Sequence, residues 1–241
     1  MIYIILSDIH GNLEALEAVV ESLGDIRGKK ILCLGDIVGY GADPVDCLRI
    51  VRSMGAESVV GNHDAGVIEK TDISVFNENA RAAVYWTMGI LSDGDKDYLG
   101  GLPYLAHHEF FSACHGTLHD PERFHYMLGG ADAMHTFEIL ERRVCFVGHS
   151  HKAGVFSLRQ GKVFSVCKDS LVMEEGVKYI VNAGSVGQPR DADNRACYCV
   201  YDTDEGKIEF RRVDYDMKKA GKKIMKAGLP PMLAERLKWG R

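Results

Sequence analysis

Long apolar runs are missing from this 241-residue chain. None approaches the ~18 residues of a membrane-spanning helix, so no membrane partner is expected. The opening MIYIILSDIHGN has neither a basic n-region nor a small-residue cleavage site, so no secretory leader is expected. Paired cysteine motifs are missing too. Cys33, Cys47, Cys114, Cys145, Cys167, Cys197 and Cys199 form no CxxC pair, and several stand inside apolar runs, where a thiol behaves as a small hydrophobe. An odd cysteine count without framework spacing fits a disulfide-free, cytoplasmic protein. Basic excess is also absent. The formal net charge is −5, which argues against a stable nucleic-acid partner, because such binding rests on Lys and Arg neutralising phosphates. The lysines and arginines between Arg211 and Lys226 read as a solvated helix face. No internal repeat, low-complexity stretch or linker interrupts the chain, so one domain over residues 1–241 is expected.

What is present is alternation. IYIIL (2–6) is a β-branched run that reads as a buried parallel strand. NLEALEAVVESLG (12–24) has Leu13, Leu16, Val20 and Leu23 at helical spacing, with Gly24 as its stop. KKILCLGD (29–36) predicts a second strand, PVDCLRIVRSMG (44–55) a second helix with Pro44 in its first turn, and AESVVGN (56–62) a third strand. Two helices are predicted over 77–91 and 92–102, the second capped by Ser92 with Asp95 three residues on. Residues 103–116 predict a strand pair and 120–140 mixed loop and helix. Strand-rich sequence follows from residue 142, with RQGK and TDEG as hairpin turns. The tail from Tyr215 predicts a short helix, a break at GLPP and a last helical turn or two. Two sheets with outer helices accommodate this order.

Polar groups collect where these strands stop. Asp8 and His10 follow the first strand, Asp36 the second, Asn62 and His63 the third, His115 the run FFSAC, and His149 and His151 the run RRVCFVG. Side chains beyond the carboxyl ends of neighbouring strands gather in one crevice. A lone His after a strand is commonly a hydrogen-bonded structural residue, but five of the ten histidines stand at such ends. Buried charges need compensation, and carboxylates, imidazoles and an amide suit divalent first-row metals. In DIH and HSH the candidate ligands are two residues apart, so extended backbone would project them to one side. The set divides into Asp8, His10, Asp36 and His151 for one ion, and Asp36, Asn62, His115 and His149 for another. Asp36 would then bridge ions ~3.5–4 Å apart. His63 is left over and is positioned to donate a proton to a leaving oxygen. Asp64 has two readings: it orients His63, or it hydrogen-bonds its own turn.

SDIHGN, GDIVGYGADP, GNHD, CHGT and GHSH, in that order, resemble the calcineurin-like metallophosphoesterase superfamily. NAGSVGQPRDADNRACY (182–198) extends the likeness toward its small bacterial and archaeal phosphodiesterase-like branch. The resemblance implies a four-layer αββα sandwich of two mixed β-sheets flanked by helices. It implies the ligand set above, with two transition-metal ions (Mn, Fe, Zn, Co or Ni) and a bridging water or hydroxide as nucleophile. It implies hydrolysis of a small phosphoester, a phosphodiester or nucleotide-like compound, with dinucleoside polyphosphates as a sharper version.

For substrate contacts, Arg190 offers a bidentate phosphate clamp, Gln188 a hydrogen bond or a loop brace, and Tyr40 a pocket edge or a packed ring. Relatives tend to read HGSPRDP where this chain reads HGTLHDP, so His119 replaces an Arg and would retune a phosphate contact. His125 and His135 line the same cap or face solvent. A Ser/Thr protein phosphatase is disfavoured for want of a groove-forming insertion, and a nuclease by the acidic balance. The rival of another class is a non-catalytic interaction scaffold on the same fold, which retention of His63 and every candidate ligand opposes.

Overall fold

The apolar run at the N-terminus forms β1 (Ile2–Leu6), whose last four residues are buried. A computed structural model of the protein describes residues 1–166 and 169–241. Cys167 lies outside the described residues, and the other six cysteines are buried free thiols. The chain continues through α1 (Leu13–Leu23), β2 (Lys29–Cys33), α2 (Pro44–Ser53) and β3 (Glu57–Ser58). Asn12 starts α1, its Oδ1 accepting from Ala15 N. With a crossover helix in each connection, β1 pairs parallel with β2 and β2 with β3.

The third strand departs from expectation. Pairing stops at Ser58, and Asn62 begins a short helix, α3 (Asn62–Val67). Asp64 accepts from Gly61 N, and this capping interaction draws GNHD out of extended backbone. Next come α4 (Glu78–Met88) and α5 (Asp93–Gly100), the latter with the expected Ser92–Asp95 capping box. β4 (Leu105–His107) and β5 (Phe111–Cys114) form the expected strand pair. A 3-10 turn (Pro121–Arg123), α6 (Gly130–Ile139) and β6 (Val144–Val147) follow. The rest comprises β7 (Gly154–Arg159), β8 (Lys162–Val166), β9 (Ser170–Val172), β10 (Lys178–Asn182), β11 (Ala196–Asp202), β12 (Lys207–Val213), α7 (Met217–Lys226) and α8 (Pro231–Arg236). β9 has no counterpart in the sequence reading, because three residues on a sheet edge carry too little alternation to register.

Among the described residues the strands form two mixed six-stranded sheets, ordered β3-β2-β1-β11-β12-β9 and β4-β5-β6-β10-β7-β8. Tyr3, Ile5, Leu32, Phe111, Phe146 and Tyr179 pack between the sheets. Leu16, Val19, Leu48 and Val51 of α1 and α2 cover the other face of the first sheet, and Phe137 of α6 that of the second. The layers are helix, sheet, sheet, helix, as the resemblance implied. β1, β2, β5 and β6 lie parallel or adjacent to one another within their sheets, so the loops after them open at one end of the sandwich.

Candidate metal centre

The candidate ligands begin where the strands have ended. β1 stops at Leu6, β2 at Cys33 and β6 at Val147. Beyond them Asp8, His10, Asp36, His149 and His151 adopt φ of 53°, 51°, 52°, 63° and 59°. DIH and HSH are therefore not extended, contrary to expectation. These side chains converge through left-handed turns, not along extended backbone. Asp and His tolerate that region better than most residues, at a cost on the order of 1 kcal/mol each. The turns are held by one another: Asp8 N donates to Gly35 O, His10 N to Asp36 O and Gly187 N to Asp8 O. Ser185 Oγ donates to Asp8 O at 2.8 Å. Gly61 is required for a different reason, since a Cβ there would overlap Asp36 Oδ1.

The side chains meet in a buried cluster. Ligand-type atoms of Asp8, His10 and His151 lie within 4.8 Å of one another, as do those of Asp36, His115 and His149, and of His10, Asp36 and His63. Asp36 Oδ2 is 3.5 Å from His10 Nε2 and 3.3 Å from His115 Nε2, so one oxygen touches both halves. Its Oδ1 accepts from His63 N at 2.8 Å. Asn62 Oδ1 is 3.2 Å from His115 Nε2.

The histidine tautomers follow from their outer partners. Nδ1 of His10, His115 and His151 each faces a main-chain carbonyl, of Val38, Leu34 and Gln188, at 3.1, 2.7 and 2.6 Å. Each Nδ1 therefore carries the proton and donates it, which turns the Nε2 lone pair inward. Two such nitrogens, of His10 and His151, then face each other at 3.1 Å. His151 Nε2 also faces Asp8 Oδ1 at 3.2 Å, and that oxygen is buried without a hydrogen-bond donor among the described residues. Lone pair against lone pair in a buried site is repulsive unless a cation stands between them. The residues fit a metal pair on this ground.

Electrostatics lead to the same demand. Burial holds His10, His149 and His151 well below the usual imidazole range, which keeps them neutral as ligation requires. Burial pushes Asp8 up to about 6, with Asp36 adding to the rise. For His115 burial works downward, but the charges of Asp36 and Asp8 raise it to about 10, so that a second proton, on Nε2, stands in for the cation these carboxylates demand. Burial brings His63 down to about 4 against the pull of Asp36.

The structure separates the remaining candidates. His63 sits in the first turn of α3, its ring 4.4 Å from Tyr40 and 4.8 Å from His10. Asp64 does not orient it. Asp64 Oδ1 accepts from Ile37 N and Val38 N and Oδ2 from Gly61 N, while His63 Nδ1 has no partner among the described residues. The turn-bracing reading is the one observed, with the Asp64 carboxyl pushed up to about 7 by burial and then by Asp36. Tyr40 edges a cleft of about 380 Å³ shared with Asn62, His63 and His149. Arg190 stands 5.7 Å over the Tyr40 ring and donates to Gln188 Oε1 at 2.8 Å. Gln188 is buried, its side chain spent on Arg190 and its carbonyl on His151, so it braces both rather than facing substrate. His119 is also corrected. It is exposed, pairs with Asp120 at 3.4 Å, and belongs to a neighbouring cleft with His125 and His135.

Two residues in this region escaped the sequence reading. Tyr126 stacks on His149 with ring centroids 3.8 Å apart. Arg236 of α8 is the other: burial, and then the charge of Arg190, lowers its pKa. Neither lies in a motif or a periodic run that would have marked it.

Comparison with known proteins agrees with this architecture. A metallophosphoesterase from Sphaerobacter thermophilus superposes with a TM-score of 0.86 at 35% identity, covering 100% of both chains. An uncharacterized protein of Methanocaldococcus jannaschii is 40% identical over 250 residues, 98% of this chain and 97% of that protein. A symmetrical bis(5'-nucleosyl)-tetraphosphatase of Psychromonas ingrahamii is 39% identical over 101 residues, 41% of this chain and 31% of that protein. The sequence profile of the calcineurin-like phosphoesterase superfamily domain matches residues 1–206. With that match and the buried Asp/His cluster at its sheet ends, the chain belongs to the calcineurin-like phosphoesterase superfamily.

Proposed function

We propose that the protein hydrolyses small phosphoesters, phosphodiesters or nucleotide-like compounds, at a two-metal centre built on Asp36. The observation that carries this reading is the placement of Asp36 Oδ2 between His10 Nε2 and His115 Nε2. Asp8, His10, Asp36 and His151 would hold one ion, and Asp36, Asn62, His115 and His149 the other. Imidazole-rich ligation favours a transition metal over Mg²⁺. Such a pair supplies Lewis-acid charge for a phosphate and a water of lowered pKa as nucleophile.

The chain's own groups do the rest. Main-chain carbonyls fix the imidazoles, so little reorganisation is needed as charge develops. Asp36 Oδ1 holds the first turn of α3 through His63 N, which keeps His63 beside the cluster and at the cleft. From there His63, neutral in its buried setting and charged as an anionic phosphate enters beside it, gives a proton to the departing oxygen. Arg190, braced by Gln188, steadies the phosphate charge. The stretch shared with the symmetrical tetraphosphatase supports the nucleotide-like version. Both sheets draw strands from separate parts of the chain, which supports one working domain over residues 1–241.

The test is a hydrolysis screen with Mn²⁺ over phosphomonoesters, bis-aryl phosphodiesters, cyclic nucleotides and dinucleoside polyphosphates. Turnover of at least one diester class, abolished by chelation and restored by Mn²⁺, is expected. Metal-loaded protein that cleaves none of them would falsify the reading and leave the scaffold alternative.

A further inference from the structure

The 3-10 turn at Pro121–Arg123 is bracketed by two strained residues. Asp120 and Phe124 adopt φ of 45° and 51°. A bulky residue in the left-handed region is an outlier that persists only where its surroundings impose it. Here they do. Phe124 is buried, packs with Val60 and Ala65, and sets its ring 5.9 Å from that of His115. The following backbone lies so close to Gly116 that a Cβ there would come within 2.7 Å of His125 O. The turn is thus pinned onto the loop that carries a candidate ligand.

The side chain this arrangement presents is Arg123. It lines the same cleft as Asn62, His63, His149, Tyr40 and Tyr126. Among the described residues its guanidinium makes no hydrogen bond or ion pair; only its main-chain N is engaged, with Asp120 O. Arg123 is exposed at the rim of the cleft, and a pinned backbone beneath an unengaged cation there is poorly explained by stability, because no bond of the side chain holds the turn. Arg offers a planar fork of donors that matches phosphate oxygens bidentately. Arg190, by contrast, is already bonded to Gln188 and stands over Tyr40. The cleft walls include Tyr40, Phe76, Phe124 and Tyr126, aromatic surface that suits a planar base.

We propose that Arg123 is a specificity-determining residue that grips a second phosphoryl group of the substrate. The cleft is then built for a nucleoside carrying a chain of phosphates, in preference to an ester of a single phosphate. This inference rests on the proposed two-metal phosphoesterase reading, with the first phosphate at the Asp/His cluster.

The experiment measures binding of tripolyphosphate and of orthophosphate to Mn²⁺-loaded protein by calorimetry, for wild type, Arg123→Ala and Arg123→Lys. A charge-assisted hydrogen bond to an ion contributes enough that its loss should weaken tripolyphosphate binding by about tenfold or more. Orthophosphate binding should change by less than about twofold, since the ligand set is untouched. Arg123→Lys should fall between. A parallel arm compares hydrolysis of a dinucleoside tetraphosphate with that of thymidine 5′-(p-nitrophenyl) phosphate; only the first should lose kcat/KM in Arg123→Ala. Equal losses for both anions, or no loss for either, overturn the role of Arg123. Absence of hydrolysis in wild type with the binding difference intact would instead count against the phosphoesterase reading alone.

Discussion

His63 and Asp64 adjoin in sequence and do different work. Asp64 spends both oxygens on main-chain N–H groups of two loops, whereas His63 turns its ring toward Tyr40, His10 and the cleft. A residue that donates a proton without holding an ion has a clear signature. His63→Ala should keep the metal content of wild type while turnover falls by about 10²–10⁴-fold, the usual worth of a general acid. Metal analysis beside steady-state kinetics decides it; parallel loss of metal and turnover would put His63 among the ligands. Asp36 behaves oppositely. One of its oxygens contacts both halves of the cluster, so Asp36→Asn should weaken uptake of both ions, read as metal per chain after gel filtration. Unaltered stoichiometry would contradict a shared ligand.

At the scale of elements, the superfamily match ends at residue 206, yet α7 and α8 lie beyond it and pack against the site. Leu233 and Leu237 of α8 join Ile224 of α7, Ala80 and Ala83 of α4, and Tyr40 in one apolar cluster. An ion network fastens α7: Lys223 Nζ lies 2.6 Å from Glu14 Oε1 and 2.9 Å from Asp43 Oδ2. Glu14 is nearly enclosed, 4% exposed at its side chain, so removing a cation beside it leaves a poorly solvated charge. Lys219 at 3.1 Å compensates in part. Lys223→Ala should therefore cost roughly 1–3 kcal/mol, measured by urea unfolding, with metal stoichiometry retained because the network stands behind the ligands. Loss of metal with no loss of stability would mean that α7 acts on the centre directly. A solvated helix face is found at Lys218, Lys222 and Lys226, but Lys219 and Lys223 pair with Glu14 of α1, and Arg211 and Arg212 lie on β12, where Arg212 pairs with Asp191.

For the whole molecule, a centre assembled from loops far apart in the chain links ion binding to folding. Nothing in an unfolded chain holds Asp8, Asp36, His115 and His151 together, so binding favours the folded state. Mn²⁺ at ~100 times its dissociation constant adds about 2.7 kcal/mol per site, which for a chain of this size corresponds to a rise in Tm of roughly 5–10 °C. Thermal melts with and without chelator test this, and a Tm indifferent to Mn²⁺ would remove the metal from the folded state. Residue types were legible in the sequence because a strand followed by a buried Asp or His is chemically conspicuous: Asp8, Asp36, His115 and His151 announced themselves in this way. Strands and helices declared themselves through apolar periods of two and 3.6. Left for the tertiary structure were the left-handed turns that aim these ligands, the exclusion of His119, the inward turn of Gln188, and the arrival of Tyr126 and Arg123 at the cleft. The reason is physical. Composition and periodicity report what each residue wants from its neighbours in the chain, whereas convergence depends on loop conformations set by contacts between distant segments, such as Lys223 on Asp43, 180 positions apart.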